Sequence, residues 1–135
     1  MSLNYGVIGN RLTAALISEE GSIDWCCFPR FDSPSVFAKI LDSEKGGCFS
    51  IEPTSDYETE QEYLEDTNVL STTYFTERGN FEVLDYFPVY IGSGRNFQGP
   101  QEIHRLIKVH KGKPRIEVSF DPRFDYGRDS PDFHV

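Results

Sequence analysis

The sequence predicts an all-β protein, an antiparallel β-sandwich with one short helix near residues 34–41. Three observations carry that expectation. Short runs of strand-forming residues alternate in polarity over five to nine positions. Pairs of such runs are separated by compact turn sequences, as hairpins are. Eleven glycines and eight prolines punctuate the 135 residues, while 11 Phe, 7 Tyr and 1 Trp supply large packing surfaces.

Ala14–Ser18 and Ile23–Phe28 are apolar runs flanking Glu19-Glu20-Gly21-Ser22, where Gly21 offers the positive φ of a type I turn with a bulge. Pro29 has no N–H for a ladder and ends the second run. Ser33-Pro34 ahead of Val36, Phe37, Ile40 and Leu41 reads as a capped helix start, closed by Gly46-Gly47. Strands are expected over Cys48–Glu52, over the polar, edge-like Tyr57–Tyr63, and over Val69–Thr76. A turn at 77–80 leads into Phe81–Phe87, making a second hairpin. The stretch 91–100, with three glycines, reads as a mobile loop. Glu102–His110 and Arg115–Phe120 flank Lys111-Gly112-Lys113-Pro114 as a third hairpin. Regular hairpin spacing points to a sandwich.

At 135 residues one domain spanning 1–135 is expected, and folding removes roughly two-thirds of the unfolded surface. The formal charge of −9 argues against nucleic acid and against anionic membrane surfaces, both of which select basic footprints. It leaves neutral sugars open. No apolar run approaches the ~20 residues of a membrane helix and no basic-then-apolar leader opens the sequence, so the expected location is cytoplasmic.

A series of short motifs runs the length of the chain. Gly9-Asn10, Thr13-Ala14-Ala15-Leu16-Ile17, Gly21-Ser22-Ile23-Asp24-Trp25 and Pro29-Arg30-Phe31-Asp32-Ser33-Pro34-Ser35 open it. Asp66-Thr67-Asn68-Val69-Leu70, Asp85-Tyr86-Phe87-Pro88 and Asp121-Pro122-Arg123-Phe124-Asp125-Tyr126-Gly127 continue it. In this order they resemble the amino-terminal domain of prokaryotic glycoside hydrolase family 15 proteins, the glucoamylase, glucodextranase and trehalase-like enzymes. The resemblance implies a supersandwich-like fold longer than this chain, followed by a catalytic barrel of paired helices that carries both catalytic glutamates. It transfers a domain identity and no catalytic residue.

Read for chemistry, the residues are sparing. Cys26, Cys27 and Cys48 lack a CxxC spacing, and adjacent strand residues face opposite ways, so buried free thiols are expected and no metal site. His104 and His110 share a strand face but stand roughly 20 Å apart, too far for one ion. Asp24, Asp32, Asp42, Asp66 and Asp85 are abundant enough for a glycosidase pair, which needs ~5–9.5 Å between carboxyls, but turn and cap duty explains several of them. The candidates near a substrate or holding a bend are Trp25, Arg30 and Asp32. Trp25 offers a stacking face, although its neighbours suit a core position. Arg30 is suited to a fork with Asp32 or Asp24, or to a sugar hydroxyl. No catalytic residue and no cofactor is expected.

Two function classes follow. In the first, the chain is a non-catalytic amino-terminal domain that packs against a catalytic (α/α) barrel hydrolysing α-glucosides with inversion. In the second it is an autonomous carbohydrate-binding or protein-interaction module, for which Tyr57, Tyr63, Tyr74 and Tyr90 would form an exposed aromatic row. The expected partners are the catalytic barrel, an α-glucoside and, for the chain by itself, a second copy.

Overall fold

The structure, a computed structural model, describes residues 4–91, 97–98 and 100–127. Two antiparallel sheets pack face to face. The first holds β1 (Tyr5–Gly9), β2 (Ala14–Ser18), β3 (Ile23–Cys27), β5 (Cys48–Pro53) and β12 (Ile116–Asp121) in that order, with β4 (Ser35–Phe37) also paired to β3. The second runs β11 (His104–Gly112), β8 (Gly79–Tyr86), β7 (Leu70–Thr76), β6 (Tyr57–Tyr63). A two-stranded ribbon of β9 (Tyr90–Ile91) and β10 (Phe97–Gln98) and a four-residue helix α1 (Phe124–Gly127) complete the described elements. The loop expected over 91–100 falls largely outside the described residues.

The first hairpin forms as its turn chemistry dictates. Gly21 sits at φ 80° and its N–H donates to Ser18 O at 2.9 Å, with the register shifting between Leu16 and Ile17. A Cβ there would lie 1.7 Å from the Tyr74 hydroxyl, so space as well as backbone angle demands glycine. The preceding β1–β2 loop is closed by Asn10, whose Oδ1 accepts from the N–H groups of Leu12 (3.0 Å) and Thr13 (2.9 Å).

The core has two parts. One gathers Ile8, Ile17, Ile23, Cys26, Phe37, Leu70 and Phe87, and the other gathers Ile51, Tyr74, Phe81 and Val83. Phe49 packs against both, so a single β5 side chain joins them.

Two expectations need correction. The segment near 34–41 is no helix. Ser35–Phe37 is a strand whose Phe37 pairs with Cys26 and whose Ser35 pairs with Cys27. Ser35 and Phe37 are buried and Val36 less so, which is a strand's period of two. Turns follow, with Asp42 Oδ1 accepting from Glu44 N and Lys45 N at 2.9 Å each. The apolar spacing imitates a helix, but pairing with β3 outweighs that weak local preference. Second, β11 and β12 are not a hairpin. β11 runs on through Lys111 and Gly112, which pair with Asn80 and Gly79, and so uses the residues expected to turn. The chain then crosses at Pro114, which has no N–H to give, and β12 joins β5 in the other sheet.

Candidate functional site

The bend after β3 brings two of the three candidate residues together. Arg30 and Asp32 line a shallow depression of about 240 Å³ with Arg11, Leu12 and Phe31. Trp25 does not line it: it is half-buried on β3, opposite Leu16. The bend is held through backbone. Ser33 Oγ accepts from Arg30 N at 3.1 Å, Ser33 N donates to Arg30 O at 3.1 Å, and Phe31 N donates to Leu12 O at 2.9 Å. Among the described residues no ion pair joins Arg30 to Asp32 or Asp24, and both Arg30 and Asp32 are exposed. The result is a hydrogen-bonded knob carrying Phe31, whose surface is 65% exposed, between exposed charged side chains. An aromatic ring beside arginines on a fixed backbone is the composition of an interface anchor.

The buried carboxylates serve the fold. Asp85 lies fully buried on β8, where Arg105 Nε donates to its Oδ1 at 2.6 Å and Nη2 to its Oδ2 at 3.2 Å. The same guanidinium donates to Phe49 O at 2.7 Å and to Gly21 O, and lies 4.8 Å from the centre of the Phe49 ring. Arg105 therefore ties the second sheet to β5 and to the first hairpin's turn. Burial pushes the Asp85 carboxyl above its ordinary range, and Arg105 opposes that rise. Asp24 accepts from Ser22 Oγ at 2.6 Å and from Tyr5 OH at 3.0 Å. The Tyr5 phenol is pushed up to about 12, by burial first and then by Asp24. With its partners filled, neither buried carboxylate is placed to meet a substrate.

The thiols are quiet as well. Cys26 and Cys27 are buried and Cys48 half-buried, all free, and burial pushes Cys26 up to about 12. No group of three or more metal-binding side chains occurs among the described residues.

The aromatic row expected of a sugar-binding module is not formed. Tyr74 is buried, stacked on Phe81 at 4.5 Å, and Tyr57 leans on Tyr74 at 5.6 Å. Tyr63 OH accepts from Val7 N at 2.8 Å and donates to Val7 O at 3.0 Å, so it fastens β6 to β1. Tyr90, exposed like Tyr63, lines a depression of about 520 Å³ with Tyr86, Pro88 and His104. There His104 Nε2 meets Glu102 at 2.9 Å and Nδ1 lies 3.4 Å from Tyr86 OH.

Comparison with known proteins places the chain in a family. The family described as trehalase-like, N-terminal, matches residues 4–133. The chain is 40% identical over 131 residues to a trehalase of Thermoplasma volcanium, covering 94% of this chain and 20% of that protein. It is 43% identical over 125 residues to trehalase 1 of Sulfolobus acidocaldarius, covering 90% and 19%. A trehalase of Mycolicibacterium smegmatis is 31% identical over 140 aligned positions, covering 93% and 20%. The chain thus spans about a fifth of the length of the curated relatives it matches. No solved structure matches it. With nearly its whole length matched, the chain belongs to the family of trehalase-like amino-terminal domains.

Proposed function

We propose that the chain works as the non-catalytic amino-terminal domain of a trehalase-like glycoside hydrolase, packing against and supporting a catalytic helical barrel. The observation that carries this reading is the match over residues 4–133 to an amino-terminal family, with relatives of about five times the length that are named trehalases. In the parent, an α-glucoside is hydrolysed with inversion by an acid and a water-activating base, both outside this chain. Trehalose is the α-glucoside that the relatives' names favour. The knob of Arg30, Phe31 and Asp32 is the surface best suited to meet the barrel, because its aromatic ring is presented on a fixed bend beside charge. We place the protein in the cytoplasm, and for the chain by itself we propose self-association.

The test is glucose release. Purified chain incubated with trehalose, maltose, starch and dextran yields none above buffer. Activity that follows the chain through purification and disappears in Asp24→Asn or Asp32→Asn would overturn the reading.

A further inference from the structure

The two outermost strands at one corner of the sandwich leave part of its interior uncovered. β11 ends the second sheet, β12 ends the first, and residues 113–115 alone connect them. Register fixes which side chains face inward, because directly opposed residues share a face. Ile107 opposes Val83 and Val109 opposes Phe81, both core residues. Val118 opposes Ile51 and Phe120 opposes Phe49 in the same way. These four inward-facing apolar side chains are nonetheless between 36% and 55% exposed. Each strand also turns one edge of backbone N–H and C=O groups away from its sheet, since each has a single neighbour among the described residues. An occupant of this corner must supply both apolar side chains and backbone partners, which is what a β-strand does.

Charge selects the occupant. β11 reads HRLIKVHKG, with exposed Lys108 and Lys111 and no acid. β12 reads IEVSFD, with Glu117 and Asp121 and no base. The chain therefore carries one basic and one acidic edge side by side, each the complement of the other. Pairing β11 with another β11 sets lysines together, and pairing β12 with β12 sets acids together, so only the crossed arrangement satisfies both edges. We propose that a second copy of this chain occupies the corner, seating its β12 along β11 and its β11 along β12 about a two-fold axis. In that dimer both sheets continue from one copy into the other, and Ile107 and Val109 meet the partner's Val118 and Phe120. The closed symmetry stops growth at two copies. The proposal rests on the self-association reading above and not on the catalytic parent.

Light scattering on a size-exclusion peak at micromolar concentration and low salt tests it with a charge exchange. The native chain gives twice its 15.4 kDa. A Lys108→Glu/Lys111→Glu variant has two acidic edges and elutes as one copy, and so does a Glu117→Lys/Asp121→Lys variant, which has two basic ones. Mixed in equal amounts, the two variants regain the two-copy mass, because each acidic edge then finds a basic one. Circular dichroism verifies that both variants are folded. Variants that keep the two-copy mass separately would overturn the crossed pairing and leave self-association standing. A native chain of one copy would overturn both, and would assign the corner to polypeptide of the parent. Masses that climb with concentration would overturn the closed dimer in favour of head-to-tail growth.

Discussion

The corner where β1 meets β6 and the corner where β11 meets β12 are built from opposite materials. At the first, Tyr63 bonds to both backbone groups of Val7, and Gln61 Nε2 donates to Ser18 O at 2.9 Å, so side chains of one sheet finish the backbone of the other. The sheets approach closely enough there that a Cβ on Gly6 would lie 2.4 Å from Leu70 Cδ2. The edge strand β6 is guarded by Glu58, Glu60 and Glu62, a charge row that resists further strand addition. At the second corner, aliphatic and aromatic side chains face inward and meet solvent. The contrast separates an edge made to be final from an edge that has interior chemistry and lacks a strand neighbour among the described residues. It also locates function. A domain whose buried carboxylates are filled and whose β11–β12 corner presents apolar side chains to solvent is suited to holding another surface.

The largest expected effect tests what holds the sheets together between these corners. Arg105→Ala strands Asp85 without a counter-charge and frees the Phe49 and Gly21 carbonyls, so it should cost about 3–5 kcal/mol in urea unfolding. Replacing both partners, Arg105→Met with Asp85→Leu, should recover most of that loss, since no buried charge remains. An Arg105→Ala variant of native stability would mean that the clamp contributes nothing.

The next test uses two residues directly opposed on β5 and β12. Ile51→Ala should cost about 2–5 kcal/mol, because Ile51 is buried and leaves a cavity. Val118→Ala, one strand away and half exposed, should cost under about 1 kcal/mol when measured on dilute chain. Equal costs would show that the β12 corner is as well packed as the core. At the closed corner, Tyr63→Phe removes both bonds to Val7 and should cost about 1 kcal/mol, read as a lower midpoint at unchanged slope.

The smallest effect is a pH dependence. Ser71 Oγ donates to Glu82 at 2.5 Å, and this bond first, His110 second, holds the Glu82 carboxyl below its ordinary value. A depressed carboxyl stabilises the fold above its unfolded value near pH ~4.3 and loses that contribution as pH falls through the folded one. Ser71→Ala should therefore lower stability at neutral pH, and its difference from the native chain should shrink as pH drops below about 4. A difference that stays constant with pH would assign the loss to packing alone.

Much of this was readable from local chemistry. The first hairpin follows from Gly21 and its flanking runs, and β6 from its alternating acids. Asp85 carries a further signal that its place among possible glycosidase carboxylates passed over. It shares strand parity with Phe81, Val83 and Phe87, so an acid was bound for the core and required a partner. Arg105, on the same parity as Ile103 and Ile107, was the matching signal, but only the pairing of β8 with β11 brings the two together. The short helix near 34–41 and the third hairpin failed for one reason. β4 and β12 take their conformation from strands earlier in the chain, β3 and β5, and local spacing does not record a distant neighbour. The bend at Arg30 is held by Ser33 and the Leu12 carbonyl, where a charge fork with Asp32 or Asp24 was expected. The docking role proposed for it has no local signature beyond an exposed Phe31.

Hydroxyl-radical footprinting of dilute, single-copy chain tests the two-corner account most directly, because it reads side-chain access residue by residue. Phe120, Val118, Val109 and Ile107 should be labelled, while Leu70 and Ile8, which face inward near the β1–β6 corner, should stay silent. Raising the concentration should protect the first set and leave the second unchanged. Silence at Phe120 and Val118 in a single copy, or equal labelling of Leu70 and Ile8, would contradict the division between a finished and an unfinished corner.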